Sequence, residues 1–243
     1  AESRRRGLLA SALQHANNAP MHRLYDRRRY LIPFRSTLLP QIFTDTLVVG
    51  AGVAGLRTAI GAADSGDVIV LAKSSLHSTN TAWAQGGVAA VMHQDDSTES
   101  HIRDTHQAGA GLCDDASVRT VVEQGAERIE ELLAWGLRLD RGESGELAAG
   151  QEGGHSFRRI YHAMGDATGA ELQRCLTERA RSEERIRIFE QCFMLDLITP
   201  SDEVGAPVLG AITYHPRFGL QMIWARTTVL ASGGIGQVYR ETT

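Results

Sequence analysis

Apolar positions change period several times along the chain, and each change marks an element. Thr46-Leu47-Val48-Val49 is a short β-rich run that ends on glycine. Residues 53–65 then place Leu56, Ala59, Ile60 and Ala63 at three- and four-residue spacing. That spacing predicts a helix with one apolar side, closed by Gly66. Val68-Ile69-Val70-Leu71 is a continuous apolar run, which suits a parallel strand buried on both faces. Strand, helix and strand within about 30 residues predict a βαβ unit with a right-handed crossover.

Residues 74–111, rich in Ser, Thr, Asn, Gly and His, read as loop. Over 117–135 the positions Val118, Val121, Val122, Ile129, Leu132 and Leu133 predict a second helix that Gly136 closes. The glycine-rich polar stretch 140–157 reads as a long loop, a length that marks functional or disordered segments. Leu172, Leu176 and Ala180 predict a helix over 169–183. Residues 186–198, 208–214, 220–225 and 227–231 read as strands, with Pro216-Arg217-Phe218-Gly219 as a hairpin connection. No internal repeat is visible. The implied fold class is α/β, with a parallel sheet followed by a β-meander.

An apolar content of 42% over 243 residues fits a globular chain. No apolar run is long enough to span a bilayer as a helix. A formal net charge of -4 gives no reason to expect nucleic acid as a partner. Cys113, Cys175 and Cys192 are too scattered for a metal pair or a disulfide framework, which fits a reducing, cytoplasmic setting with inert buried thiols. Residues 1–43 are biased: arginine stands at 4, 5, 6, 23, 27, 28, 29 and 35 against only Glu2 and Asp26. This reads either as a targeting or polyanion-binding arm or as a solvated, partly disordered leader that packs only near its end, and the second reading is preferred. The chain starts on Ala1, with Met21 as a candidate natural start, and stops soon after a Gly-Gly pair. It is expected to be an N-terminal piece of a longer protein.

The chemistry begins at Gly50-Ala51-Gly52-Val53-Ala54-Gly55, between a predicted strand and a predicted helix. In a Gly-x-Gly-x-x-Gly turn the first glycine permits the bend, the second lets backbone approach a pyrophosphate, and the third lets helix and strand pack closely. The phosphates then meet free N–H groups at the helix N-terminus. An NAD site expects an acidic residue at the end of the second strand. That position reads Leu71-Ala72-Lys73-Ser74-Ser75, without one, and Asp64 and Asp67 come too early. NADP, read by Lys73 and the serines, and FAD both remain open on these residues alone.

Further motifs follow in order. They are Val70–Lys73, Ala84-Gln85-Gly86-Gly87 running to Val91, His106–Asp114, and Glu152-Gly153-Gly154-His155-Ser156-Phe157-Arg158-Arg159-Ile160 with His162. Asp166-Ala167-Thr168-Gly169 and Ala231-Ser232-Gly233-Gly234 complete the set. Over residues 44–243 this series resembles the L-aspartate oxidase branch of the fumarate reductase/succinate dehydrogenase flavoprotein family.

The resemblance implies a Rossmann-like FAD-binding domain joined to the start of an α+β capping domain. It implies a first FAD-binding part at 44–87, an insert with the beginning of the cap at 88–185, and a return to the FAD domain at 186–243. FAD would lie against Lys73, Ser74, Asn80, Thr81, Ala82, Trp83, Ala84, Gln85, Gly86 and Gly87, with the backbone of Met194 and Leu195 near the adenine and Ser232, Gly233 and Gly234 in the core. Covalent relatives attach FAD through a histidine where this chain has Asn80, so the cofactor is expected to be non-covalent. Glu152 would accept a hydrogen bond from the α-ammonium of L-aspartate. His155 and Arg158 are secondary candidates, and Arg159 and His162 share their segment; arginine forks suit a dicarboxylate. No metal site is expected, since the spacing of His101 and His106 does not place them on one helical face.

The implied reaction is oxidation of L-aspartate to iminoaspartate, with oxygen or fumarate as acceptor. It would be the first step of the quinolinate route to NAD, with a functional link to quinolinate synthase. Most of the substrate-side residues would lie past Thr243. The competing readings are a fumarate reductase or succinate dehydrogenase flavoprotein, against which Asn80 and Glu152 stand, and a catalytically silent dinucleotide-binding module.

Overall fold

A computed structural model of the chain describes residues 30–241. Strand β1 (Gln41–Val49) leads into helix α1 (Val53–Ala62), a 3-10 turn (Ala63–Ser65) and strand β2 (Val68–Leu71). Strands β1 and β2 pair in parallel, Thr46 opposite Val68 through Val49 opposite Leu71, so the expected βαβ unit is present. Leu56, Ala59, Ile60 and Ala63 are all buried against it. The first strand begins earlier than its apolar run suggests, because Gln41–Thr44 already pair with Met222–Ala225.

The main sheet has six strands in the order β6-β2-β1-β9-β8-β7. Strands β6 (Ile186–Phe189), β2, β1 and β9 (Gly219–Leu230) run parallel, while β8 (Gly210–His215) and β7 (Phe193–Ile198) add an antiparallel meander. The central strands are covered on both faces, and alternate residues divide between two cores. Val48, Val68 and Val70 pack with α1 and with Leu176 and Ala180 of helix α5 (Thr168–Arg181). Leu47, Val49, Ile69 and Leu71 pack with Cys192, Ala211 and Ile223.

Between β2 and α5 the chain builds a second layer. It holds helices α2 (Asn80–Trp83), α3 (Thr98–Ala108) and α4 (Asp115–Ala134), and a small antiparallel sheet β3-β5-β4. The strands of that sheet are β3 (Val88–Ala89), β4 (Ala149–Gly150) and β5 (Ile160–Tyr161). Ile129, Leu137, Leu139, Tyr161 and Cys175 form its core.

The structure departs from the sequence expectations at several places, among them the short elements α2 and β3 within the expected loop 74–111 and β4 within the expected loop 140–157. Residues 98–108, expected as loop, form α3; its apolar pattern is too sparse to show a period, but Ser97 caps it by accepting the Ser100 N–H at 3.2 Å. The run 186–198 divides into β6 and β7 around Gln191, whose φ of 57° turns the chain out of one strand line and into another. The runs 220–225 and 227–231 form the single strand β9. In α4, Val121 is 72% exposed while Val122 and Ile129 are buried, because neighbouring residues on a helix point about 100° apart.

Within the span expected as a basic leader, Tyr30, Phe34 and Leu39 pack on Ile198, Ile212 and Met222, and the Leu31 N–H donates to Asp196 at 2.9 Å. Residues 1–29, which carry most of the arginines, lie outside the described residues. Among the described residues no helix is long and apolar enough to cross a membrane.

The burial in α4 gives an expected contrast in urea unfolding. Ile129→Ala should cost about 2–5 kcal/mol, while Val121→Ala should stay within about 0.5 kcal/mol.

Candidate functional site

A cleft of about 460 Å³ opens at the carboxyl ends of β1 and β2. It is the place where an open α/β sheet binds ligands, because the chain leaves β1 for β2 on one side and returns in β9 on the other. Its rim is set by backbone. The Gly50 N–H donates to Leu71 O at 2.9 Å, and the Ala231 N–H donates to Val49 O at 2.8 Å. Gly50 has a φ of 116°, and a Cβ there would overlap the Ala231 carbonyl. A Cβ on Gly55 would overlap the Gly50 carbonyl, so the third glycine is needed for packing.

Helix α1 begins at this rim with no capping side chain of its own, because its N-cap is Gly52. The Val53 N–H reaches across to Thr81 Oγ1 at 3.0 Å. The remaining first-turn N–H groups have no intrahelical partner and carry the positive end of the helix dipole. Lys73 is the one charged side chain lining the cleft among the described residues. A cation, N–H groups free of intrahelical partners and, among the described lining residues, no carboxylate make this a site for an anion. Ser232, Gly233 and Gly234 form the opposite wall, and a Cβ at either glycine would meet nothing within 4 Å. That bare wall leaves room for a flat group. These features fit a dinucleotide laid with its pyrophosphate on α1, and so fit FAD.

A buried amide braces the turn. Gln173, 2% exposed on α5, donates from Nε2 to Ala51 O at 2.9 Å and accepts from Thr79 Oγ1 at 3.0 Å. Thr79 also caps α2 by accepting the Ala82 N–H at 3.0 Å. Gly169 lets α5 approach α2 closely, donating its N–H to Ala84 O at 3.1 Å.

Most of the expected cofactor residues line the cleft: Gly50 through Ala54, Lys73, Ser74, Asn80, Thr81, Met194 and Ser232 through Gly234. Others do not. Leu195 packs into the meander core beside Ile198 and Met222. Ala82 and Trp83 line a separate cavity of about 320 Å³ with His77 and Arg174. Trp83 is 75% exposed and belongs to no core cluster. Gln85 is exposed, and Gly86 turns the chain with a φ of 73°. Sequence reasoning missed Ser78, Thr79, Cys192 and Phe193 in the lining. Thr79 had a signal, a threonine one residue before a short helix. Burial pushes the Cys192 thiol up, which keeps it protonated at neutral pH.

The segment 151–162 separates its candidates sharply. Arg159 is fully buried, and its guanidinium is bound by Asp96 at 2.7 Å, Asp104 at 2.5 Å and Ser100 at 3.0 Å. It is therefore not available to a substrate and instead clasps this segment to α3. Asp104 also accepts the Ser156 N–H at 2.7 Å, and these donors hold its carboxyl down at about 2 despite the opposing effect of burial. Arg158 is exposed. The His155 ring lies 5.5 Å from that of His101, and the buried Nδ1 atoms of both have no hydrogen-bond partner among the described residues. Burial, with Arg159 and His155 nearby, lowers the His101 pKa and favours its neutral form. Glu152 is half-exposed and pairs with His162 Nε2 at 2.8 Å. His106 contacts Asp115, and no metal-binding group of three appears among the described residues.

Residues 45–243 match the FAD binding domain family. The chain is 45% identical over 202 residues to an L-aspartate oxidase of Arabidopsis thaliana described as chloroplastic, covering 83% of this chain and 31% of that protein. It is 43% identical over 204 residues to an L-aspartate oxidase of Streptomyces coelicolor, covering 83% and 35%. An E. coli quinol fumarate reductase superposes with a TM-score of 0.75 at 30% identity, over 83% of this chain and 34% of that one. The chain thus spans about a third of the length of the curated relatives it matches.

The two neighbouring arginines should behave differently. Arg159→Ala, which strands two buried carboxylates, should cost about 3–5 kcal/mol in denaturant unfolding, and Arg158→Ala should stay within about 0.5 kcal/mol. The Asp104 pKa is depressed from 3.8 to about 2 in the folded state, so its stabilisation is complete above 3.8 and is lost as pH falls toward 2. Asp104→Asn should remove that part of the acid unfolding profile.

Proposed function

The chain belongs to the FAD binding domain family, and from that premise we propose that it forms the nucleotide-binding part of an FAD-dependent L-aspartate oxidase. The observation that carries the substrate reading is Glu152, a half-exposed carboxylate that pairs with a histidine, His162. A carboxylate so placed can accept a charge-assisted hydrogen bond from an α-ammonium, which succinate and fumarate lack. The identity to L-aspartate oxidases supports the same reading.

In this reading Gly50 through Ala54 and Lys73 hold the FAD pyrophosphate, Met194 flanks the adenine, and Asn80 with Ser232, Gly233 and Gly234 faces the flavin. Asn80 offers no imidazole nitrogen for a covalent bond, so FAD is held non-covalently. When bound, FAD supplies a two-electron acceptor. With that acceptor in place L-aspartate would undergo a two-electron oxidation, giving up the C2 hydrogen as hydride and one ammonium proton to water, to give iminoaspartate; oxygen, reduced to hydrogen peroxide, or fumarate, reduced to succinate, would be the final acceptor. Glu152 fixes the ammonium end of the substrate, with His155 and Arg158 as secondary contacts. The product feeds the quinolinate route to NAD, with quinolinate synthase as the next enzyme, and the setting is cytoplasmic.

Two measurements on the protein expressed from its complete gene test this. Acid precipitation should release yellow flavin into solution; flavin that stays with the precipitate would move the assignment to the covalent fumarate reductase and succinate dehydrogenase type. Glu152→Gln should raise the KM for L-aspartate by roughly 10-fold or more, the size of one charged hydrogen bond, with FAD affinity nearly unchanged. Equal damage to both would contradict the role given to Glu152.

A further inference from the structure

Glu152 is poorly held by its own backbone. Gly153 and Gly154 follow it, Gly154 with a φ of 86°, and glycine restrains a chain least of all residues. What orients its carboxylate is His162, whose Nε2 lies 2.8 Å from Glu152 Oε1. His162 is far better anchored. It follows β5 directly, its carbonyl accepts the Asp140 N–H at 2.8 Å, and its side chain is 25% exposed against 52% for Glu152.

The space for this imidazole comes from the Gly86-Gly87 turn. A Cβ on Gly87 would lie 2.7 Å from His162 Nε2 and would overlap the Ile160 side chain. Any side chain at position 87 would therefore push the ring off Glu152. Residues 80–87 thus run from the cleft wall at Asn80 to the support of the Glu152–His162 pair.

We propose that His162 is the positioning residue for Glu152. With the proton on Nε2 it donates to Oε1, locks the carboxylate rotamer, and leaves Oε2 with the negative charge for a substrate ammonium. The imidazole orients the carboxylate through one directed contact from a ring fixed at the end of β5. Gly87 is then required for the ring as well as for the turn. This inference rests on the reading of Glu152 as the partner of the ammonium.

The test uses the holoenzyme from the complete gene and compares two ligands that differ in the ammonium. His162→Leu should raise the KM for L-aspartate about 10-fold, equivalent to one lost hydrogen-bond alignment. It should leave the inhibition constant for succinate, and the affinity for FAD, within about twofold of the parent. His162→Gln, which keeps an N–H donor at similar reach, should recover most of the loss. If aspartate and succinate weaken together, or neither changes, His162 does not position Glu152. A parent enzyme that binds succinate but does not oxidise aspartate would instead overturn the reading of Glu152, and this one with it. Should His162→Leu lose FAD, Gly87→Ala reads the same ratio by displacing the ring, and an unchanged aspartate-to-succinate ratio there would also reject the proposal.

Discussion

The bare N-terminus of α1 is the constraint on which the rest of the structure depends. Four N–H groups at a helix start must find partners or face a ligand. Here Gly52 offers no side chain, and among the described residues the Val53 N–H is taken by Thr81. To present such an end at a sheet edge, the turn before it must be tight on three sides. Gly50 meets the Ala231 carbonyl, Gly55 meets the Gly50 carbonyl, and Gly50 is hydrogen-bonded to Leu71. Burial of α1 through Leu56 and Ala59 supplies the hydrophobic stabilisation that holds this turn in place.

From that turn a chain of polar contacts leads outward. Gln173 reaches through the core to the Ala51 carbonyl and joins it to Thr79, which starts α2. Residues 80–87 then extend to Gly87, where the missing Cβ admits His162 beside Glu152. The Arg159 clasp fixes the far end of the same loop to α3. Gln173, Thr79 and Arg159 each have their partners in this path, which is the condition for a polar network to rigidify rather than destabilise a core. The cofactor cleft and the candidate substrate carboxylate are in this way linked by one continuous stretch of chain.

The βαβ unit was legible because its residues serve one purpose each: Leu56, Ala59 and Ile60 only fill core, and the glycines only make room. The meander was legible from its alternation and from Pro216 through Gly219. Helix α3 was hidden because its stability comes from a cap at Ser97 and from ion pairs with Arg159, 55 or more residues away in sequence, and not from an apolar stripe. For the same reason Arg159 looked like Arg158 in the sequence, and only burial separates a structural arginine from an exposed one. Gln173 was invisible as a brace because its partners come from two other elements. Side-chain direction at Leu195 and Trp83 was not legible either: Leu195 turns into the meander core while its neighbour Met194 lines the cleft, and Trp83 lines the separate cavity.

The most direct test of the central claim is titration calorimetry of flavin-stripped protein, from its complete gene, with FAD and with riboflavin. If the bare helix end and Lys73 carry the affinity, FAD should bind at least about 100-fold more tightly than riboflavin, the equivalent of two or more charged hydrogen bonds. Lys73→Ala should narrow that ratio while leaving riboflavin unaffected. Equal affinity for the two ligands would contradict the account, because the glycine turn would then hold no pyrophosphate.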